Sequence, residues 1–185
     1  MFEPATYHYL GAAVMDDQIV TLLLRLVHIV GGIFWVGAMF LMAGFLIPTA
    51  RATGRDGGKF MQHLMQQRKL PVYLASAMLL TVVSGLILYG RLVSATDGAW
   101  AGTAPGIAYG SGGLAAILGA ALGMAISGTA TRRMATIGQT VAQGGPSAEQ
   151  QAEMTRLQSR MARGSRIAAA LLLIASVAMA IARYL

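Results

Sequence analysis

Four stretches of the chain are apolar for long enough to cross a bilayer, at 19–47, 70–89, 107–130 and 167–185. A helix rises 1.5 Å per residue, so about 20 apolar residues cover the hydrocarbon core. The last stretch is short, and suffices if it emerges from a helix that began earlier. Between the third and fourth, Met134, Ile137 and Val141 fall at i, i+3 and i+7, and Met154, Leu157 and Met161 repeat that spacing beyond Gly144-Gly145-Pro146. Ser147 and Gln150 have the spacing of a capping box, which predicts that a helix restarts there. The pattern predicts an all-α integral membrane protein. It is a four-transmembrane-helix bundle forming a single membrane domain over 1–185, with a cytoplasmic helical hairpin extension at 131–166 between helices 3 and 4.

Within the spans, small residues mark the faces on which helices approach closely. Ala77, Thr81 and Gly85 recur every four residues in the second span, and Pro71 falls in its first turn, where a missing amide proton costs little. The third span pairs Gly119 with Gly123 in small-xxx-small spacing, and its many glycines serve either packing or clearance for a planar cofactor. Ala168, Ser176 and Ala180 predict a matching face on the fourth. Pro48 opens the first connection.

Composition sharpens this picture. Apolar residues make up 56% of the 185 and charged ones 11%, which excludes both a soluble globular domain and a disordered segment. With no cysteine, disulfides, thiolate zinc sites, iron–sulfur clusters and covalent haem attachment are excluded. The net charge of +7 does not point to nucleic acid, because its placement follows the membrane. Eleven of the 14 basic residues flank the connections after the first and third spans, leaving Arg25, Arg91 and Arg183 elsewhere. These connections therefore face the cytoplasm of a bacterial-type inner membrane, and both termini lie outside. Residues 1–18 carry Glu3, Asp16 and Asp17 but no basic residue, the reverse of a cleavable leader. Tyr89, Trp100, Tyr109 and Tyr184 read as an interfacial belt, as does the cluster of Tyr7, His8 and Tyr9. Met61, His63 and Met65 superficially suggest copper, but on a helix the two thioethers share a face from which the imidazole turns away.

The chemistry concentrates in the first span, where Arg25 and His28 are ionisable groups in an apolar run. At 100° per residue His28, Gly32, Trp35 and Met39 share a face, with Arg25 about a turn nearer the amino terminus. Three roles are open to His28: a structural hydrogen bond to a neighbouring helix, axial ligation of a b-type haem, or ligation of copper, with Met39 as a further metal ligand. For haem, the imidazole supplies the iron bond, Gly32 gives clearance, Arg25 neutralises a propionate, and Trp35 with Phe34 offers an aromatic wall. Met39, Met42, Met78, Met124 and Met179 are the thioethers available as a second axial ligand.

His28, six intervening residues, Trp35, and Gly37 resemble the first-helix pattern of the copper-resistance D membrane family. The pattern is also similar to that of the four-helix membrane protoporphyrinogen oxidases and of the membrane part of cytochrome-fused urate oxidase. The resemblance covers about ten residues and the four-span layout. It implies b-type haem or metal handling at His28, in electron transfer or redox chemistry with a redox partner protein. The second and third spans hold no Lys or Arg, so the basic residue of the oxidases has no counterpart and their activity is not implied. A haem shared across a homo-oligomer, with two copies of His28 facing each other, is a further arrangement. The non-catalytic alternative is a membrane assembly subunit.

Overall fold

The computed structural model describes the backbone of residues 4–144 and 147–185, and the side chains of 17–125, 128, 130, 133, 134, 136, 137 and 147–185. The grouping of His8 with Tyr7 and Tyr9, and the face of Val141, lie outside the described side chains. Six helices make up the described chain: α1 (Pro4–Leu41), α2 (Ile47–Ala52), α3 (Gly54–Gln62), α4 (Leu70–Ser94), α5 (Ala104–Gly144) and α6 (Ala148–Ala182). Four helical stretches, Asp17–Ala52, Leu70–Ser94, Ala104–Ala125 and Ala148–Ala182, are long and apolar enough to cross a membrane. The protein is thus multi-pass by length and composition. The third is the least apolar of the four, because glycines dilute its apolar run.

Helix boundaries differ from the sequence expectation where backbone geometry, rather than hydropathy, sets them. Pro48 does not end the first span. It has no amide proton to return to the carbonyl four residues back, yet the helix runs on through a π turn at Met42–Leu46 into α2. A second π turn at His63–Gln67 leads to Lys69, whose φ of 51° is left-handed and turns the chain into α4. The fourth span emerges, as the capping box predicts, from a longer helix that starts at Ala148; that helix stops at Ala182, so Arg183 to Leu185 lie past its end. Its start carries the capping box: Ser147 Oγ accepts from the Gln150 amide at 3.2 Å, and Gln150 Oε1 accepts from the Ser147 amide at 3.0 Å.

α5 and α6 run antiparallel, as three contacts in opposite chain order establish. Gly112 lies against Ala175, Ala178 and Met179, Gly119 against Ala168, Leu171 and Leu172, and Arg133 pairs with Glu153 at 3.7 Å. The expected pairing of Gly119 with Gly123 is corrected here. A Cβ at Gly123 would meet nothing within 4 Å, and the partner of Gly119 along the interface is Gly112, two turns away. The face of α6 shifts likewise: Ala168, Leu172 and Ala175 are buried, while Ser176 and Ala180 are exposed. A seven-residue repeat suits two long helices that stay in contact, because their seam drifts only about 20° per heptad.

α1 packs on α4 through Gly31 and Gly32, which rest against Thr81, with Ala77 and Thr81 buried beneath them. The two pairs, α1 with α4 and α5 with α6, meet at one core layer built from Trp35, Ala77, Ala120 and Leu172. Outside that seam the spans present Leu22, Leu26, Ile29, Ile33, Leu79, Leu86 and comparable side chains outward. An apolar surface of this extent suits the interior of a membrane. At one end of α1 and α4, Arg91 forms an ion pair with Asp17. Near the same end Trp100 meets Tyr89 edge-on at 5.4 Å and stacks on Tyr109 at 6.0 Å. Tyr184 does not join these rings; it is 77% exposed and lies against the Arg183 guanidinium.

Candidate functional site: the imidazole of α1

Two turns from Trp35 along α1, the His28 ring lies on α4. A Cβ built on Gly85 would stand 2.7 Å from its Cε1 and 3.0 Å from its Nδ1. Only glycine admits the ring at that position. Nδ1 lies 2.7 Å from the carbonyl oxygen of Thr81, which can only accept, so Nδ1 carries the proton and donates. The Ser84 hydroxyl donates to carbonyls of its own helix, one of them Thr81 O at 3.2 Å, and stands 3.5 Å from Nδ1. In the neutral ring this tautomer leaves Nε2 with the lone pair, and among the described residues none donates to it.

The level of this ring in the bundle follows from the core layer. Seven residues are two turns, about 10 Å of rise, and return to within about 20° of the same direction. Seven residues from Trp35, Ala77, Ala120 and Leu172, taken towards the Asp17–Arg91 end, are His28, Ser84, Gly113 and Met179. Two contacts fit this register: Ser84 beside His28, and Met179 against Gly112. Gly113 is half-buried, yet a Cβ there would meet nothing within 4 Å. By this register the His28 imidazole, the Met179 thioether and the open Cβ position at Gly113 stand at one level of the bundle.

The remaining sequence candidates separate. Gly32 belongs to the α1–α4 contact, its Cβ position 3.6 Å from Thr81 Cγ2. Trp35 is 4% exposed and belongs to the core layer, and Phe34 turns outward at 47%. Met39 packs against the core cluster on the far side of Trp35, about 16 Å along the axis from His28. The structure does not bring that pair together. Met42 is buried in the π turn itself, Met78 packs on the core, and Met124 is exposed. Arg25 is exposed one turn beyond His28 and makes no hydrogen bond or ion pair with a described residue. His63 is exposed while Met61 and Met65 are half-buried, the division that a helical face requires. Among the described residues no three His, Cys, Asp or Glu side chains group as a metal site.

Sequence reasoning missed Ser84 and the Thr81 carbonyl, whereas Gly113 is one of the third-span glycines that it offered for packing or cofactor clearance. The glycine at 85 was visible as part of a small-residue face, but its partner, a ring and not a helix backbone, was not. No protein-family model, curated protein or solved structure matches the chain.

Proposed function

We propose that the chain is a multi-pass protein of a bacterial-type inner membrane that holds one b-type haem through Nε2 of His28 and acts in electron transfer or redox chemistry. The observation that carries this reading is the Nδ1–H bond to the Thr81 carbonyl, which leaves Nε2 as the free ligand atom. Metal-ligating imidazoles characteristically donate their other nitrogen to a carbonyl, which fixes tautomer and ring angle and raises ligand basicity. The residues present fit the group: imidazole and Met179 thioether in one layer, with clearance at Gly113. Arg25, a turn outward and free of acid partners among the described residues, suits a propionate. When bound, such a haem supplies a one-electron couple. The chain's own part is to hold the ring, exclude water with the Trp35 layer and set the polarity around the iron.

The resemblance of His28, Trp35 and Gly37 to the copper-resistance D pattern supports the same reading. The basic connections support a cytoplasmic side for α2, α3 and the α5–α6 hairpin, with both termini outside and a redox partner or a second copy meeting the protein there. Copper through His28 and Met39 is disfavoured by the distance between them. One observation favours a second reading: the His28–Thr81 bond also satisfies a purely structural histidine in an assembly subunit.

Absorption spectra of detergent-purified protein, oxidised and dithionite-reduced, separate these readings. Haem bands in the native chain, lost in His28→Ala and altered without loss in Met179→Leu, are expected. A colourless protein that takes up neither hemin nor copper, and a His28→Gln variant that folds normally, would establish the structural role instead.

A further inference from the structure

At the opposite end of the bundle, a groove of about 420 Å³ opens between α1, its π turn and α6. Phe40, Gly44, Pro48, Ala170 and Leu173 line it, and among the described residues Arg166 is the one charged side chain on its wall. The π turn shapes the groove: Gly44, at its middle, has nothing within 4 Å of its Cβ position. A π turn inside a long helix widens the backbone and is frequent at functional sites. From Leu173 to Arg166 the wall of α6 runs about 10 Å along its axis, from within the apolar segment to its basic boundary. The groove is therefore apolar along its length and cationic at its mouth.

The charge at that mouth is unmatched. Asp56 is taken by Lys59 at 3.4 Å, and Glu153 faces Arg133. Arg51 donates to the Gln158 carbonyl and so ties α2 to α6 beside the groove. Arg163 and Arg166 make no ion pair with a described residue, and no acid occurs in 126–146, the segment whose side chains are only partly described. A guanidinium at a membrane boundary attracts phosphate, and an apolar slot leading from it into the hydrocarbon accepts an acyl chain.

We propose that this groove seats one anionic phospholipid, its headgroup phosphate on Arg166 and an acyl chain along the π turn towards Phe40 and Leu173. The site bridges α1 and α6, and it does not depend on haem.

Native mass spectrometry of the full chain, released from micelles doped with phosphatidylglycerol or phosphatidylcholine, tests this. Retention of one phosphatidylglycerol in preference to phosphatidylcholine is expected. Arg166→Gln should lower it about fivefold, the worth of one basic residue at a membrane surface, and Arg166→Lys should keep most of it. Gly44→Leu, which fills open space and leaves the arginine, should also displace the lipid. Equal retention of the two lipids, or undiminished retention in Gly44→Leu, overturns the proposal. So does a loss in Arg163→Gln as large as in Arg166→Gln, which would mark a diffuse basic surface. Displacement by glycerol phosphate alone would show a free-anion site and equally overturn it.

Discussion

Gly85→Ala is the substitution that most directly examines how the α1 imidazole is held. The added Cβ would stand 2.7 Å from Cε1 of His28, so the ring must retreat by about 0.8 Å to reach the separation at which carbon atoms attract. Its Nδ1–H bond to Thr81 O starts at 2.7 Å and would stretch beyond the roughly 3.2 Å limit of a good N–H···O bond. The energetic cost is small. An interhelical hydrogen bond in a membrane averages about 0.6 kcal/mol and reaches about 1.7 at most, while alanine regains up to about 1 kcal/mol of helix propensity over glycine. Net stability should thus move by no more than about 1 kcal/mol. The tautomer should move far more, because releasing Nδ1 from the carbonyl removes what fixes the proton there. Nitrogen spectra of histidine-labelled protein read this directly: the native ring should show a protonated Nδ1 and bare Nε2, and Gly85→Ala should show a mixture of tautomers. Gly37→Ala, where a Cβ meets nothing within 4 Å, is the control. If Gly85→Ala leaves both nitrogen resonances in place, or if Gly37→Ala shifts them equally, the ring does not rest on α4 as described.

Three further outcomes follow from other parts of the bundle. Trp35→Ala should cost about 3–5 kcal/mol, the range for emptying an aromatic site in a packed core, measured by steric trapping in bicelles, while Phe34→Ala at the lipid face should cost much less. Ser147→Ala removes the hydroxyl of the capping box and should cost about 1 kcal/mol, seen as faster hydrogen exchange at the first amides of α6 with Ile167 to Ala182 unchanged. Gly113→Leu should leave the fold intact, since its Cβ enters open space, yet abolish uptake of hemin by absorption if the proposed haem lies at this level; retained uptake would count against that placement.

How much of this was legible in the sequence depends on the range of the interaction concerned. The four apolar helices were legible, because hydropathy is a sum over neighbours in the chain. So was the capping box at Ser147 and Gln150, whose two bonds join residues three apart. Pro48 misled, since its missing amide predicts a break, and the chain instead absorbs the lost bond in a π turn that keeps the helix going. The small-residue faces were legible as a class but not in their register. Gly119 pairs in spacing with Gly112, and Ala168 with Leu172 and Ala175, because the opposing helix chooses which small residues it rests on. His28 stood out as an ionisable group in an apolar run. Its tautomer did not, because it is set by a carbonyl 53 residues away in α4.

Comparing the two layers shows why space should collect around that imidazole. Moving one heptad from the core layer replaces Trp35 by His28 and Ala120 by Gly113, both smaller, while Leu172 gives way to Met179 and Ala77 to Ser84, nearly equal in volume. The side-chain volume at this level is therefore lower, yet the helices are stiff rods whose separation is already set by the indole about 10 Å away. A deficit of this kind closes only if the helices lean together or if something else fills it, since protein interiors do not tolerate sizeable voids. Leaning together would bring α1 or α4 onto Gly113, where the nearest atoms remain more than 4 Å from a Cβ position. On this register the indole acts as a spacer, and the glycine one heptad on leaves its Cβ position open.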